Sequence, residues 1–248
     1  MKILINGYRG FMGREVAKLC ESGYRGCEAA CGVDQTIDMS GSVPCYAGFE
    51  AVGRAADCVV DFSHHSCTTA LLDYCTTNKL PLVLATTGQT EEERAAIAEA
   101  AKQIPLFFAA NYSLGVALLI ELAKKTAAAM PDAEIEIIEK HHDRKLDAPS
   151  GTALAIAKAI QSVRPEAELN LGRSGMAKRT PTEIGIHAIR MGNIVGEHEV
   201  MVGTQNQTIT LKHEAHSRAL FAEGALAAAV WLADKAPGLY DMSDMLAF

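Results

Sequence analysis

The chain has 248 residues, of which 49% are hydrophobic and 21% are charged, and its formal net charge is −7 at pH 7. This composition is typical of a folded protein with one or two cores, and it excludes a largely disordered chain. The negative charge and the lack of a basic run disfavour nucleic-acid binding. No apolar stretch is long enough to span a bilayer, and the start MKILING does not resemble a signal peptide, so we expect a soluble protein with no membrane partner.

Short apolar runs alternate with helical patterns over roughly the first hundred residues. Thr90 precedes a run of acids, which marks an N-cap and the start of a helix. Strands that alternate with helices are typical of a parallel sheet covered on both faces, so we predict a doubly wound Rossmann fold of the α/β class. The predicted strands cover residues 2–6, 27–33, 57–62, 81–85 and 106–110, and the predicted helices cover residues 14–22, 67–78 and 91–103.

The pattern changes after residue 112. A long helix is predicted at 114–130, and strands separated by short turns follow, which indicates an antiparallel or mixed sheet in an inserted α+β domain. Residues 164–182 are predicted to be a loop, and a last helix at 217–235 is expected to return to the first domain. The other predicted elements here are strands at 133–140, 183–190, 194–202 and 208–213 and a helix at 150–163.

All seven cysteines lie in the first third of the chain, between Cys20 and Cys75. No two of them have the C-x-x-C spacing of a zinc or redox site, and their number is odd. We therefore expect reduced thiols that pack as small hydrophobic side chains, and a reducing compartment such as the cytoplasm.

A glycine-rich loop follows the first predicted strand and consists of Gly7, Tyr8, Arg9, Gly10, Phe11, Met12 and Gly13. Glycine lets the backbone approach a pyrophosphate closely, and the helix that follows offers N–H groups and a positive dipole end to that anion. Asp34 lies about 20 residues further on, where a carboxylate can bond the ribose hydroxyls of NAD. The alternative is a structural turn between strand and helix that binds no ligand.

The identity of the dinucleotide depends on Asp34 and its neighbour. A carboxylate repels a 2′-phosphate, and Gln35 supplies no cation for one, so NADH is expected to be preferred over NADPH. Arg9 and Arg14 are near in sequence, and they either serve the pyrophosphate or lie in solvent.

Small and polar residues follow three other predicted strands. In sheets of this kind, ligands bind beyond the carboxyl ends of the strands, so these loops are candidates for nicotinamide contacts, with Tyr112 packing against the ring. Each loop is also explained by ordinary turn chemistry. The residues are Asp61, Phe62 and Ser63; Ala85, Thr86, Thr87 and Gly88; and Ala109, Ala110, Asn111 and Tyr112.

The densest polar stretch is EKHHDRKLDAPSGT, residues 139–152. His141 and Lys145 are candidate proton donors to a substrate, and Ser150, Gly151 and Thr152 open a helix whose N–H groups suit a carboxylate. A shared metal is disfavoured because adjacent residues on a strand point to opposite faces, so we predict none. The stretch is also open to interpretation as a solvated charged surface, and Ser150 as an N-cap.

This stretch resembles the signature of the 4-hydroxy-tetrahydrodipicolinate reductase family, also called dihydrodipicolinate reductases. The resemblance runs through residues 139–153 without a gap and extends over nearly the whole chain. It includes the glycine loop and the segments at 61–63, 86–88, 111–115, 194–198, 216–218 and 238–242. Two departures are Ala85, where the family usually has glycine, and Gln35, where members that use both cofactors carry a base.

The resemblance implies an activity. Members reduce 4-hydroxy-tetrahydrodipicolinate, with loss of water, to tetrahydrodipicolinate in lysine and diaminopimelate biosynthesis, and they use NADH or NADPH. By position, His141 matches the catalytic acid–base and Lys145 the proton donor, although His141 polarising the substrate with Lys145 as sole donor is equally compatible. His142, Gly151 and Thr152 match substrate-binding residues.

The resemblance also implies an organisation. We expect a dinucleotide-binding domain of residues 1–112 and 219–248, and a substrate-binding and oligomerisation domain of residues 113–218 that forms a homotetramer. One alternative is another Rossmann dehydrogenase, but an enzyme with an acyl intermediate needs a cysteine after Cys75, and none is present. The other is a non-catalytic NADH-binding protein, which would not need His141 and Lys145.

Overall fold

The structure is a computed structural model, and it describes residues 1–36 and 43–246. In chain order its strands are β1 (Lys2–Asn6), β2 (Glu28–Val33), β3 (Cys45–Tyr46), β4 (Cys58–Asp61), β5 (Leu82–Leu84), β6 (Pro105–Phe108), β7 (Glu134–His141), β8 (Glu168–Asn170), β9 (Glu183–Arg190), β10 (Gly196–Thr204), β11 (Gln207–Ala215) and β12 (Gly238–Tyr240). Its α-helices are α1 (Phe11–Glu21), α2 (Thr68–Asn78), α3 (Glu91–Ala101), α4 (Leu114–Ala129), α5 (Gly151–Gln161), α6 (Ala219–Leu232) and α7 (Met242–Met245). The chain forms two compact units, Met1–Ser113 with Ala219–Phe248, and Leu114–Arg218.

The first unit contains a seven-stranded sheet in the order β12-β6-β5-β4-β1-β2-β3. Each neighbouring pair in this sheet is parallel. The chain adds β2 and β3 on one side of β1 and then continues with β4 on the other side, so the direction of winding reverses between β1 and β4. At such a reversal a crevice for a ligand opens beyond the carboxyl ends of the strands. The predicted doubly wound parallel sheet is confirmed.

Apolar side chains of this sheet are buried on both of its faces. Leu4 and its neighbours Ile3 and Ile5 are all fully buried, although successive side chains on a strand point to opposite faces. Helices α2 and α3 pack with Leu4 in one cluster, and α1 and α6 contact each other and the sheet strands. Burial of each such side chain contributes about 1.5–3 kcal/mol, which explains the unbroken apolar runs of these strands.

The first helices and strands lie close to where the sequence places them, with two strands missed. Thr90 caps α3 as predicted, because its hydroxyl accepts the N–H of Glu93 while the Glu93 carboxylate accepts the N–H of Thr90. Strands β3 and β12 have two and three residues, too few for a periodic pattern to appear. Helix α1 begins earlier than predicted, directly after Gly10.

The second unit contains a five-stranded sheet in the order β11-β10-β7-β9-β8. Strand β7 is antiparallel to β10 and parallel to β9, so the sheet is mixed, which confirms the predicted second layer. Helices α4 and α5 pack on one face, against a cluster that includes Ile135, Ile137 and Val200. Strand β8 lies inside the segment 164–182 that we predicted to be a loop.

Among the described residues, no helix combines the length and the apolarity that crossing a membrane requires.

Candidate active site

The predicted dinucleotide-binding residues of the first unit collect at one edge of its sheet. They follow the carboxyl ends of β1, β2, β5 and β6, and parallel strands bring those ends to the same edge. The glycine loop follows β1, so it lies at the reversal of winding. This is the position at which a doubly wound sheet binds a nucleotide.

The geometry of the glycine loop explains why two of its positions require glycine. Gly7 has a φ of +78°, and a Cβ on it would lie 2.5 Å from the carbonyl oxygen of Phe62. A Cβ on Gly13 would overlap the carbonyl oxygen of Gly7. These contacts seat the start of α1 directly on the loop.

The N-terminus of α1 suits an anion. Its N-cap residue is Gly10, which has no side chain to hydrogen-bond the first turn. The positive dipole end of the helix favours a phosphate, and the residues present fit a dinucleotide pyrophosphate. Phe11 adds an exposed aromatic side chain to the same turn.

Asp34 braces the glycine loop. Its Oδ2 accepts the backbone N–H of Arg9 at 2.9 Å, and its Oδ1 accepts the N–H of Thr36 at 3.1 Å. Because an ionised carboxylate has about four acceptor positions, it retains capacity for ribose hydroxyls. The guanidinium of Arg9 lies 5.3 Å from the ring centre of Tyr8, beside the loop.

A buried polar network underlies this edge, and the sequence reasoning did not identify its links. Asp61 is 1% exposed, and its Oδ1 accepts the Asn6 amide at 2.7 Å and the Ser63 hydroxyl at 2.6 Å. Burial raises the pKa of Asp61, and hydrogen bonds from neutral groups, Ser63 and Thr86 among them, oppose that effect. The network ties together the ends of β1, β4 and β5.

Two of the candidate loops have more specific roles than the sequence suggested. The N–H of Ala85 donates to the carbonyl of Asp61 at 2.9 Å, which fixes the loop after β5 to the neighbouring strand.

Tyr112 is buried, and its hydroxyl lies 2.9 Å from the carbonyl oxygen of Leu84 and 3.1 Å from that of Phe107. Its ring therefore packs in the core beneath the loop, and contact between Tyr112 and a nicotinamide stays a prediction.

In the second unit, His141 and the N-terminus of α5 meet at one buried carboxylate. Glu139 is fully buried near the end of β7. Its carboxylate accepts hydrogen bonds from Nδ1 of His141 at 2.6 Å and from the backbone N–H of Ser150 at 3.0 Å. It also accepts two N–H groups of Arg190, at 2.8 and 2.7 Å. Burial would raise the pKa of Glu139, but these donors outweigh it and hold the pKa below its usual value.

His141 is held in a defined state by this carboxylate. Because Glu139 is ionised and only accepts hydrogen bonds, the Nδ1 of His141 carries the hydrogen, and Nε2 is the ring nitrogen that remains for other chemistry. Burial lowers the pKa of His141, and the carboxylate of Glu139 partly opposes that effect. The cations of Lys145 and Arg190 lower it further.

Lys145 lies in the loop after β7. Its Nζ is 2.8 Å from Oδ1 of Asp147, and its own N–H donates to the carbonyl of His142 at 3.2 Å. Nδ1 of His142 is buried without a hydrogen-bond partner in the part of the chain that the structure describes. Such an orphaned polar atom is unusual in a folded protein and is compatible with a site that takes up a polar ligand.

The N-terminus of α5 adjoins these residues. Ser150 is its N-cap and accepts the N–H of Ala153 at 3.2 Å, as predicted. The Ser150 Oγ also lies 3.1 Å from Nε2 of His198, a buried residue of β10. A Cβ on Gly151 would meet no described atom within 4 Å, so space remains at the tip of the helix for a carboxylate.

Sequence reasoning missed Glu139, Arg190 and His198 as parts of this site. The sequence pattern could have identified Glu139 as a buried residue, because it continues the alternation of Ile135 and Ile137 along β7. A charged residue on the buried side of a strand requires partners. Arg190 and His198 come from neighbouring strands, and only the pairing of the strands reveals them.

Metal binding has no support in the described ranges 1–36 and 43–246, where no group of three or more His, Cys, Asp or Glu side chains is placed to hold an ion.

The fold and these residues define a class of protein. A parallel doubly wound sheet with a glycine loop at its reversal of winding, joined to a unit with a mixed sheet, is the arrangement of Rossmann-fold oxidoreductases with a nicotinamide dinucleotide site. The chain belongs to the dihydrodipicolinate reductase family. The model of the N-terminus of dihydrodipicolinate reductase matches residues 1–112, and the model of its C-terminus matches residues 115–246.

Two relatives share one name. The 4-hydroxy-tetrahydrodipicolinate reductase of Caldanaerobacter subterraneus subsp. tengcongensis is 45% identical, with 99% of this chain and 98% of that protein covered. The 4-hydroxy-tetrahydrodipicolinate reductase of Clostridium tetani is 43% identical, with 99% of this chain and 97% of that protein covered.

Solved structures agree on the fold. Dipicolinate-bound dihydrodipicolinate reductase from Paenisporosarcina sp. TG-14 superposes with a TM-score of 0.84 at 25% identity, covering 99% of both chains. A probable dehydrogenase from Thermotoga maritima superposes with a TM-score of 0.64 at 10% identity, covering 98% of this chain and 92% of that one. The second likeness concerns the fold alone.

Proposed function

We propose that this chain reduces 4-hydroxy-tetrahydrodipicolinate, with loss of water, to tetrahydrodipicolinate in lysine and diaminopimelate biosynthesis. The observation that carries the proposal is the convergence of His141, the N-terminus of α5 and Arg190 on the buried carboxylate of Glu139, in a chain of this family. The arrangement combines a proton-transfer group with a carboxylate-binding helix tip.

A nicotinamide dinucleotide supplies the hydride when it is bound, and its phosphates fit the turn from Gly7 to Gly13. We propose that Asp34, Ala85 to Thr87 and Ala109 to Asn111 complete that site, and that the first unit is the dinucleotide-binding domain. Asp34 and Gln35 favour NADH over NADPH, because the carboxylate repels a 2′-phosphate and Gln35 supplies no cation to pair with it.

The second unit supplies the substrate site in this proposal. His142, Gly151 and Thr152 bind a substrate carboxylate, since the helix tip at Gly151 has open space and a positive dipole end. The solved relative from Paenisporosarcina binds dipicolinate, a planar dicarboxylate, which supports a cyclic dicarboxylate substrate here.

Protons come from His141 and Lys145. The Nδ1–H of His141 is committed to Glu139, so Nε2 is the atom that exchanges a proton with substrate or polarises it. Lys145 carries its ammonium in the same loop and is the proposed proton donor to the ring. Its pairing with Asp147, which is more than half exposed, leaves the ammonium free to exchange partners when a dicarboxylate arrives.

The family resemblance supports a homotetramer and a cytoplasmic enzyme. Helices α4 and α5 cover one face of the second sheet, and the opposite face carries the half-buried Ile138 and Met201. We propose that this face forms subunit contacts. Light scattering on the purified protein measures the mass of the assembly and so tests whether it is a tetramer.

A coupled assay tests the activity. The condensation product of pyruvate and aspartate semialdehyde is generated by a synthase, and NADH absorbance is followed after addition of the purified chain. Substrate-dependent oxidation of NADH is expected. Absence of oxidation with either NADH or NADPH would refute the proposal.

A further inference from the structure

We infer that Glu139 and Arg190 form a positioning pair that sets the tautomer of His141 and holds the loop of Lys145. This inference rests on the proposed function of the same site, because it assigns the pair its purpose there. Neither residue is proposed to touch substrate. Both act through their neighbours.

Glu139 is placed to act on His141 and on the tip of α5 together. Its Oε2 accepts from His141 and its Oε1 accepts from the backbone of Ser150, so one rigid group sets the spacing between the imidazole and the helix N-terminus. Four hydrogen bonds converge on this carboxylate, which is its full acceptor capacity. A fully occupied acceptor in a buried position holds its donors in one geometry.

Arg190 extends this control to Lys145. It lies opposite His141 in the register of β7 and β9, and it donates two N–H groups to Glu139. The same guanidinium donates to the carbonyl of Asp147 at 2.6 Å, and the Asp147 carboxylate pairs with Lys145. The loop that carries Lys145 is thereby tied to the group that orients His141.

Two further contacts fix the start of the same loop. The N–H of Met191 donates to the carbonyl of His141 at 2.9 Å, and the N–H of Asp143 donates to the carbonyl of Gly192 at 3.2 Å. The backbone of β9 therefore follows that of β7 beyond the strand ends. The Arg190 side chain in addition reaches further along the loop, to Asp147.

The surroundings of the His141 ring determine what loss of Glu139 does. The charged and titratable groups that interact with the ring are Glu139 on its own strand, Arg190 on β9, Lys145 in the loop and His198 on β10, whose ring centre lies 5.2 Å away. Of these, only Glu139 favours the protonated imidazole. Removal of the Glu139 charge leaves burial and the neighbouring cations, which all favour the neutral ring.

The substitution Glu139→Gln removes the charge with little change of shape. The amide has one oxygen where the carboxylate has two, and in either orientation its NH2 group faces an N–H of Arg190, together with the N–H of Ser150 or the ring of His141. We expect kcat to fall about 100-fold or more, the range that loss of an oriented acid–base group costs, while the dissociation constant for NADH stays unchanged.

The decisive readout is 15N NMR of the histidine rings, with His141 assigned by comparison with a His141→Gln variant. In Glu139→Gln the titration midpoint of His141 shifts to lower pH, and the preference for the Nδ1–H tautomer weakens. Arg190→Lys keeps the positive charge but cannot bridge Glu139 and the Asp147 carbonyl, so kcat falls while the tautomer of His141 is kept. Glu139→Asp retains the charge, so the His141 midpoint stays closer to that of the unmodified protein than it does in Glu139→Gln.

Glu136→Gln is the matched control. Glu136 lies on the same strand and also pairs with an arginine and a histidine, Arg179 and His187. The substitution Glu136→Gln removes a carboxylate that pairs with an arginine and a histidine, but Glu136 does not contact His141. We therefore expect kcat and the titration midpoint of His141 to stay unchanged. If Glu139→Gln folds poorly, Arg190→Lys and Glu139→Asp carry the test.

Unchanged kcat together with an unchanged His141 tautomer and midpoint in Glu139→Gln would overturn the inference. An equal loss of kcat in Glu136→Gln would also overturn it, because the effect would then be one of general stability. Failure of the proposed function gives a different pair of results from failure of this inference. In that case the unmodified protein oxidises no NADH with the substrate, while the NMR response of His141 to Glu139→Gln is still seen.

Discussion

The hydroxyl of Ser150 bridges the N-terminus of α5 and the ring of His198. The Oγ atom accepts the N–H of Ala153 and lies within hydrogen-bond distance of Nε2 of His198, 3.1 Å away. Burial, followed by the charge of His141, lowers the pKa of His198 to about 4, which favours the neutral ring. The cap of the proposed substrate helix thus adjoins a buried, uncharged imidazole.

Acid should therefore weaken the second unit through His198. Its pKa lies at about 4 in the folded chain and at 6.5 when unperturbed, so between these pH values the unfolded chain binds a proton that the folded chain does not. The free energy of unfolding then falls as the pH drops from about 6.5 to about 4, by about 3 kcal/mol from this group. Urea unfolding at several pH values measures this pH dependence of the free energy of unfolding.

The matched variant for this prediction is His198→Gln, whose amide oxygen can still accept the Ser150 hydroxyl. The difference in unfolding free energy between the two proteins should shrink as the pH falls through this window, because the variant has lost the titrating group. A difference that is constant with pH would show that His198 is not the group responsible.

Lys145→Ala should lower kcat by about 100-fold or more, because the proposed proton donor is lost. The dissociation constant for NADH should stay the same, since the dinucleotide residues belong to the first unit. Steady-state kinetics and fluorescence titration with NADH make the comparison. Arg144→Ala is the control, as Arg144 is the adjacent cation, largely exposed and paired with Asp143. Near-normal turnover in Lys145→Ala would remove Lys145 from the mechanism.

Gln35→Arg should increase the use of NADPH. The exposed Gln35 follows Asp34 at the carboxyl end of β2, and a guanidinium there can pair with a 2′-phosphate. We expect the unmodified chain to have a lower KM for NADH than for NADPH, and the variant to lower KM for NADPH about 10-fold, which corresponds to about 1.4 kcal/mol. A lower KM for NADPH in the unmodified chain would contradict the assignment of Asp34.

Gly7→Ala should abolish tight NADH binding. The φ of +78° disfavours any side chain, and the added Cβ would press on the Phe62 carbonyl, so the loop has to move. We expect a destabilisation of about 1–3 kcal/mol and a loss of NADH affinity by calorimetry. Gly23→Ala separates the backbone strain of a positive φ from the steric contact of the added Cβ. Gly23 has a φ of +71° but no described atom within 4 Å of a Cβ. If both variants bind NADH normally, the glycine loop is not the pyrophosphate site.

Much of the first unit was predictable because its signals are local. Strand β1 has the predicted bounds, and Thr90 caps α3 through its own side chain and that of Glu93. The glycine loop is likewise a local pattern. Its bracing by Asp34 was not predictable, since it depends on the pairing of β2 with β1, which brings residues far apart in sequence together.

The candidate site of the second unit divides in the same way. His141, Ser150 and Lys145 stand within one short stretch, so their chemistry was visible as a motif. The group that organises them was not, because the partners of Glu139 come from β9 and from the start of α5. Tyr112 illustrates the reverse case, because the sequence places it at a strand end and does not show that its ring is buried with its hydroxyl bonded to the carbonyls of Leu84 and Phe107.

Transfer of label from the cofactor tests the central claim most directly. NADH deuterated at the transferable position of its nicotinamide is supplied with 4-hydroxy-tetrahydrodipicolinate and the purified chain, and the products are analysed by mass spectrometry. The account predicts tetrahydrodipicolinate that has gained one deuterium and lost the 4-hydroxyl as water. Deuterium that stays in the cofactor, or an unreduced substrate at the end of the incubation, would contradict it.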